Sequence, residues 1–334
     1  MKIAIHNSPS GFHPRWVKYC EDKNIPYKRV NCYANDIIHQ LSDCDVLMWH
    51  HFQNNQKALV AAKPILFALK QAGIKVFPNF NTNWHFDDKL GQKYLLEALG
   101  LPFVPSYVFL KKQEALKWIN TTSYPIVFKL RGGAGSANVR LVHNPKEAKR
   151  LTRIAFGKGF SNYDALGSLK ERWRKWRLRK ISITDLVKGI IRFVYPPPYA
   201  KALGREVGYI YFQDFIPNND HDIRVIVIGD KAFAIKRMVR KNDFRASGSG
   251  NILYDRHHFN ESDIKLAFEI HNKLQSQCTA MDFVYQNNLP LLVEISYGFS
   301  PEGYDPCPGY WDKDLNWHEG EFNPYGWMVE EVLK

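Results

Sequence analysis

Residues Tyr124 to Val142, YPIVFKLRGGAGSANVRLV, constrain the fold of this chain more than any other stretch. Pro125 opens a strand, and the β-favouring run Ile126, Val127, Phe128 continues it. Lys129 closes the strand, Arg131 follows, and Gly132-Gly133-Ala134-Gly135-Ser136 makes a loop of small residues before a second strand, Asn138 to Val142. Glycines let backbone N–H groups approach phosphates closely, and a lysine at a strand end adds a point charge. This is not the P-loop pattern, because no Gly-Lys-Ser/Thr opens a helix after the loop. A tight hairpin with a solvated lysine would show the same residues.

The flanking sequence sets this hairpin in an α/β chain. Over residues 1–83, strands at Lys2–His6, Tyr27–Cys32, Asp45–His50 and Val76–Pro78 alternate with helices at Trp16–Lys23, Asp36–Leu41 and about Asn55–Ala72. That order predicts a small parallel sheet with helices on both faces. No G-x-G-x-x-G follows the first strand, so dinucleotide binding is not expected there. After a linker, Asp87–Leu99 reads as a helix with acids in its first turn, as the helix dipole prefers. Leu101–Leu110 reads as a strand interrupted by Pro102 and Pro105, and Glu114–Ile119 as a helix. Further on come strands Val207–Phe215, Asp222–Ile228 and Lys231–Val239, a helix Glu261–Gln277, and a hairpin of Thr279–Tyr285 with Leu289–Ser296 across Asn287-Asn288.

Net charge is +13, which directs attention to anionic partners. Much of it sits in an expected insertion at 151–208: from Ser168 to Arg205 there are eleven Lys and Arg against Glu171 and Asp185, a net +9. Leu166, Leu169, Trp173 and Trp176 recur at helical spacing. Ser182-x-x-Asp185 resembles a capping box for a second helix, whose stripe Ile183, Leu186, Val187, Ile190, Ile191, Val194 is wide enough to bury. Two readings stand. One is a helical pair packed on the body with a solvated basic face. The other is a Trp-bearing basic surface that rests on an anionic membrane or holds a phosphorylated glycan carrier. The five cysteines are scattered and odd in number, and MKIAIHNSPSGF lacks the apolar core of a signal peptide. Reduced thiols in a cytoplasmic protein are expected. The doublets His50-His51 and His257-His258 lack the spacing of a zinc site.

Asp282 and Glu294 flank the last hairpin and fall about opposite each other across its turn. Both sit in apolar runs, AMDFV and LLVEIS, where a lone carboxylate is expensive to bury. Two facing carboxylates suit a Mg²⁺ ion with phosphate ligands. The alternative is a salt bridge within the sheet to Arg224 or Arg237. Arg224, Lys236, Arg237, Arg240 and Arg245 bring cations towards the same acids, as a polyanion in transfer requires. Arg240 and Lys241 are expected to be ordinary exposed charges.

Taken in order, DDKL, FKLRGGAGS, YFQDFIP, HDIRVIVIG, AIKR with DFRASGSG, and AMDFV with VEIS resemble the ATP-grasp superfamily, nearest its RimK-like carboxylate–amine ligases. The resemblance covers roughly residues 80–300 and rests on the order of the motifs. It implies an ATP-grasp fold, α+β in its ATP-binding part, preceded by a small Rossmann-like domain. The implied division is 1–83, then 84–214 carrying the insertion, then 215–334 with the metal site and an aromatic tail. It also implies site residues. Lys89 and Lys129 would hold ATP phosphates with Gly133, Gly135 and Ser136 of the loop. Gln213, Asp214, Phe215 and Ile216 would be the hinge beside adenine, and Asp222 would face the ribose. Arg245 and Ser247 would lie near the phosphates. Asp282, Glu294 and Ser296 would stand at the Mg²⁺ positions, and Arg224 and Arg237 would neutralise transferred phosphate or substrate carboxylate. The chain departs from the family pattern at Asp214, where Glu is usual, and at Ser247 and Ser296, where Asn is usual.

The activity so implied is ATP-dependent amide formation through an acyl phosphate. A phosphotransferase of the same fold and a nucleotide-responsive binding protein without turnover are the alternatives. The aromatic tail from Tyr297 to Trp327 reads either as a loop packed over the sheet or as a wall of the acceptor site. With the basic insertion it favours a large anionic acceptor such as a cell-surface glycan intermediate, at the inner membrane face. Nucleic acid is not an expected partner.

Overall fold

A computed structural model of the chain describes residues 1–132, 138–177, 181–239, 244–245 and 250–334. The expected site residues Gly133, Gly135, Ser136 and Ser247 lie outside the described residues, as do Arg240 and Lys241.

Strands β1 (Ile3–His6), β2 (Tyr27–Val30), β3 (Val46–Met48) and β4 (Lys75–Phe77) form a parallel sheet in the order β2-β1-β3-β4. Strands β1 and β3 are buried along their whole lengths, as a sheet covered on both faces requires. The helix Gln56–Gln71 covers one face with Ala58, Ala62, Leu66 and Leu69, a stripe at helical spacing, and Asn55 caps its N-terminus. The helices His13–Asp22 and Pro324–Leu333 cover the other, through Trp16, Met328 and Val329. The first of these begins at His13 rather than Trp16, because Pro14 suits a helix's first turn.

A second sheet takes β5 (Ser106–Phe109), β6 (Ile126–Lys129) and β7 (Arg140–Val142). After the two-stranded ribbon β8 (Phe160–Ser161) and β9 (Arg205–Glu206) it adds β10 (Ile210–Asp214), giving the antiparallel order β5-β10-β6-β7. Alternation divides its faces. Ile126, Phe128, Ile210 and Phe212 pack under the helices Lys112–Ile119 and Pro145–Ala155, which leaves Val127, Lys129 and Gln213 on the opposite side. The expected strand Leu101–Leu110 is a strand only over β5. Pro102 and Pro105 have no N–H for a ladder, and the stretch before β5 instead bonds to Leu292 through Val104 N–H and the Pro102 carbonyl.

The third sheet comprises β11 (His221–Ile228), β12 (Lys231–Met238), β13 (Ile252–Leu253), β14 (Cys278–Gln286), β15 (Leu289–Ser296), β16 (Gly309–Asp312) and β17 (Trp317–Glu319). Its order is β15-β14-β11-β12-β16-β17, with β13 also on β12. Ile223, Val225, Val227, Met281 and Phe283 face the helices Glu261–Leu274 and Lys89–Ala98. On the other face, Ile226, Ile228, Phe233, Ile235 and Ala280 pack against the N-terminal sheet's helices. Further along that same face the residues become Asp222, Arg224, Arg237 and Asp282. The change from apolar to charged marks where the cover ends and a cleft begins.

Other expectations are corrected. The helix expected to reach Gln277 stops at Leu274, where Gln275 turns left-handed at φ 51°. Tyr297, Tyr304, Trp311 and Tyr325 of the aromatic tail are buried in the core. In the basic segment, Ala165–Arg177, Ile183–Ile191 and Pro198–Leu203 are helical, and Ser182 caps the second by accepting from Asp185 N–H at 3.3 Å. The stripe expected to bury does not: in the second helix Leu186 and Gly189 are covered, and Ile183, Val187, Ile190 and Ile191 face solvent. No described helix is long and apolar enough to cross a membrane.

Candidate functional site

The open faces of the second and third sheets bound a cavity of about 700 Å³. Lys89, Lys129, Gln213, Asp214, Phe215, Ile216, Asp222, Arg224, Arg245, Asp282, Glu294 and Ser296 all line it. Residues from distant parts of the chain thus line one cavity. Arg237 is outside the lining and stands behind it, between two of the acids.

Lys129 reaches the cavity because it ends β6 on the side away from the covering helices. Lys89 opens the helix Lys89–Ala98, whose N-cap Asp88 accepts from Gly91 N–H at 3.0 Å. Its backbone N–H donates to the Arg131 carbonyl at 2.9 Å, and Arg131 in turn pairs with Asp88 at 2.5 Å. The helix start and the end of the phosphate-type strand are therefore tied together. Both lysines are buried at 5% exposure. Burial lowers the Lys129 pKa to about 8, and Lys89 adds to the effect while Glu294 opposes it. Burial also acts against the charge on Lys89. There the carboxylates of Glu294, Asp87 and Asp88 outweigh it and hold the pKa above the ordinary lysine value.

The last hairpin turns at Asn287-Asn288, both with positive φ as a tight hairpin turn needs. Asp282 and Glu294 are direct register partners, with a bulge immediately beyond them. Bulges of this kind re-aim side chains next to sites. Asp282 accepts from Arg224 Nε at 2.5 Å and Nη2 at 2.9 Å, and Arg237 Nη2 lies 2.9 Å from its Oδ1. Arg237 also forks onto Asp222 at 2.7 and 2.6 Å. Burial works against the Asp282 charge, but Arg224 and Arg237 prevail and hold its pKa below the usual carboxylate range. For Asp222 burial prevails over Arg237 and the pKa is raised. Glu294 Oε1 is 3.2 Å from Lys89 Nζ. The salt bridge considered as the alternative at Asp282 is thus present, with both arginines. Asp222, expected at the ribose, is bound to Arg237.

Asp282, Glu294 and Ser296 all line the cavity, and their side chains offer hard oxygen donors. Ser296 Oγ already accepts from Gly298 N–H at 3.1 Å. At the far end, Gln213 Nε2 donates to Ser106 Oγ and Asp214 N–H to the Pro105 carbonyl, and Phe215 and Ile216 follow beyond the end of β10. Burial raises the Asp214 pKa. Arg245 lies at the cavity beside Phe244, its Cζ 5.9 Å from the ring centroid.

Sequence reasoning missed His50, Phe52, Phe86 and Asp87, which also line the cavity, as do Gly298 to Ser300 at the start of the aromatic tail. His50 follows β3 at the C-terminal edge of the parallel sheet, where the order β2-β1-β3-β4 reverses direction. Crevices form at such reversals, so the strand order would have found it. Its Nδ1 accepts from Phe12 N–H at 3.1 Å, and burial holds its pKa well below the ordinary histidine value. Elsewhere, Asp255, His257 and His258 bring ligand atoms within 4.8 Å of one another at the surface, which the doublet's spacing did not suggest.

This architecture is the ATP-grasp fold. Within it, residues 202–304 match the family model of the RimK-like ATP-grasp domain. Among solved structures, a RimK domain ATP-grasp protein from Sphaerobacter thermophilus superposes with TM-score 0.57 at 13% identity, covering 100% of both chains. D-cycloserine synthetase DcsG gives 0.61 at 12% identity, again over 100% of both. D-alanine–D-alanine ligase from Bacillus anthracis complexed with ATP gives 0.52 at 14%, covering 100% of this chain and 96% of that one. No curated protein matches the chain significantly in sequence.

Proposed function

We propose that the chain is an ATP- and Mg²⁺-dependent carboxylate–amine ligase. The observation that carries this reading is one cleft in which two buried lysines stand beside two register-paired carboxylates. Lys89, Lys129, Arg224 and Arg245 line the cleft with Arg237 behind them, so the acids Asp87, Asp214, Asp222, Asp282 and Glu294 are met by as many cations, and both signs are at hand for a triphosphate carrying a divalent cation. In this reading Lys129 and Lys89 hold the phosphates, and Phe215 and Ile216 read adenine through backbone groups. Asp282, Glu294 and Ser296 hold Mg²⁺, which when bound supplies charge neutralisation on the phosphate oxygens. Arg224 and Arg245 steady the transferred phosphate or the substrate carboxylate. The γ-phosphate passes to a substrate carboxylate, ADP leaves, and an amine then displaces phosphate to give the amide. Catalysis rests on positioning and charge neutralisation.

The acceptor in this reading is a large anionic molecule, such as a phosphorylated glycan intermediate handled in the cytoplasm. Its support is the basic composition and the cations Lys89, Lys129, Arg224 and Arg245 that line the cleft. The test is product analysis with paired amine and carboxylate candidates. Free phosphate and ADP formed only when both are present support the ligase. Phosphorylated product without free phosphate would make the chain a phosphotransferase. Nucleotide binding without turnover is favoured by one observation: Ser296 Oγ and Asp282 are already engaged within the protein. Binding with no turnover on any pair would select that reading.

A further inference from the structure

The helix Ile183–Ile191 presents an apolar face to solvent. Leu186 and Gly189 turn inward, where Gly189 lets the Arg172 and Leu169 side chains of the preceding helix approach closely. Ile183, Val187, Ile190, Ile191 and Val194 turn outward and are 49–73% exposed. At 3.6 residues per turn they span about 100° of arc. A solvated structural helix does not need this. Soluble proteins rarely leave so many branched aliphatic side chains together in water, and a contiguous patch marks a contact surface.

Charge says what covers it. Lys170, Arg174, Arg177 and Lys188 are exposed beside the apolar arc, and the segment Ser168–Arg205 carries +9. A second copy of this chain would bring another +9 against the first. An anionic surface is attracted by the same charge. Trp173 is half exposed and its ring centroid lies 5.2 Å from that of Trp176, an aromatic pair of the type that settles at a headgroup boundary. No described helix can span a bilayer, so contact through this face is lateral. We infer that the helices Ala165–Arg177 and Ile183–Ile191 dock the protein on an anionic lipid surface. The apolar arc inserts at the headgroup–acyl boundary and the flanking cations meet lipid phosphates. This surface is independent of the nucleotide reading, since none of these residues lines the cleft.

The test is partitioning of the full chain onto vesicles of phosphatidylcholine with phosphatidylglycerol, against phosphatidylcholine alone. Binding is expected only with phosphatidylglycerol, weakening as salt rises. Ile190→Glu with Val194→Glu, and separately Arg174→Gln, Arg177→Gln and Lys188→Gln, are expected to lower the partition constant by at least about tenfold. Trp173 fluorescence should shift blue on binding for the wild-type chain and not for these variants. All substituted side chains point to solvent, and circular dichroism and nucleotide binding check that the variants fold. No binding at low salt, or equal binding without phosphatidylglycerol, overturns the inference. So does self-association that Ile190→Glu with Val194→Glu abolishes, or RNA or DNA displacing the protein from vesicles at lower concentration than added phosphatidylglycerol.

Discussion

Lys89 Nζ lies 3.2 Å from Glu294 Oε1, joining the first residue of a helix to the edge strand of the largest sheet. The lysine is buried and its partner carboxylate is more open. Removing the carboxylate leaves a buried ammonium with its main counter-charge gone. Glu294→Gln should therefore cost about 1.5–3 kcal/mol, the scale of a hydrogen bond to a charged group. Denaturant unfolding of the ligand-free protein measures it, and an unchanged midpoint would show that Asp87 and Asp88 suffice.

If the proposed function holds, Lys129 should make nucleotide affinity depend on pH. Its pKa is lowered to about 8 by burial, and phosphate would favour the charged form. Affinity should be steady up to about pH 7 and fall as pH rises through the value of the free protein. Stability runs the other way. The unfolded lysine binds its proton up to its ordinary pKa of roughly 10.4, so between the two values unfolding takes up a proton and stability rises with pH. Lys129→Ala should weaken nucleotide by about 1.5–3 kcal/mol and flatten both dependences. Calorimetry across pH 6.5–9.5 reads this, and a wild-type affinity independent of pH would remove Lys129 from the phosphate site.

Asp282 is held by Arg224 and Arg237, which changes what its substitution should do. As a metal ligand alone, Asn would leave the fold nearly intact. With the buried Arg237 and the partly buried Arg224 on it, Asp282→Asn should destabilise by about 3 kcal/mol, the low end of the range for breaking a buried pair. Thermal unfolding without metal or nucleotide separates the two roles. A small loss of stability together with lost Mg²⁺ dependence of nucleotide binding would assign Asp282 to the metal.

The strand Ile126 to Lys129 was legible in the sequence as a β-favouring run closed by a lysine, but its two faces were not, because three successive apolar residues show no alternation. The facing of Asp282 and Glu294 was legible only approximately: the Asn287-Asn288 turn alone would set Asp282 opposite Val293, and the bulge between Asp282 and Phe283 brings Glu294 there. Arg224 and Arg237 were named from the sequence as candidate partners, but not that both would meet Asp282. That depends on β11 lying next to β14, a pairing across more than fifty residues of chain that no local pattern records. His50 was hidden for a similar reason: it enters the cleft from another sheet. The apolar stripe at Ile183 to Val194 misled because periodicity reports an amphipathic helix without saying whether anything covers it.

Gly326 lets the last helix seat on the first. A Cβ there would lie 2.4 Å from a ring carbon of Tyr19, whose hydroxyl donates to Glu330 at 2.5 Å. Gly326→Ala should cost about 1–3 kcal/mol by overpacking. Tyr19→Leu, which removes the clashing ring, should recover part of that loss in the double variant. An additive double-variant cycle would show that the two residues do not meet.

Acid should unfold this protein before its carboxylates titrate. His6, His13, His51, His85 and His271 are all buried, and burial is the leading cause that lowers each to about 4. A histidine depressed in the fold binds its proton in the unfolded chain first, at its ordinary value of roughly 6.5. Its contribution is therefore complete above that pH and is lost as pH falls towards 4. Stability should fall steeply between about pH 6.5 and 4, above the usual carboxylate range. His271 tests the cause cleanly, because its Nδ1 is 2.9 Å from Thr279 Oγ1 and it stands apart from the other four. His271→Asn cannot take up that proton, so its stability difference from wild type should shrink as pH drops from 7 to 4.5. A difference that stays constant across that range would assign the acid sensitivity to other groups.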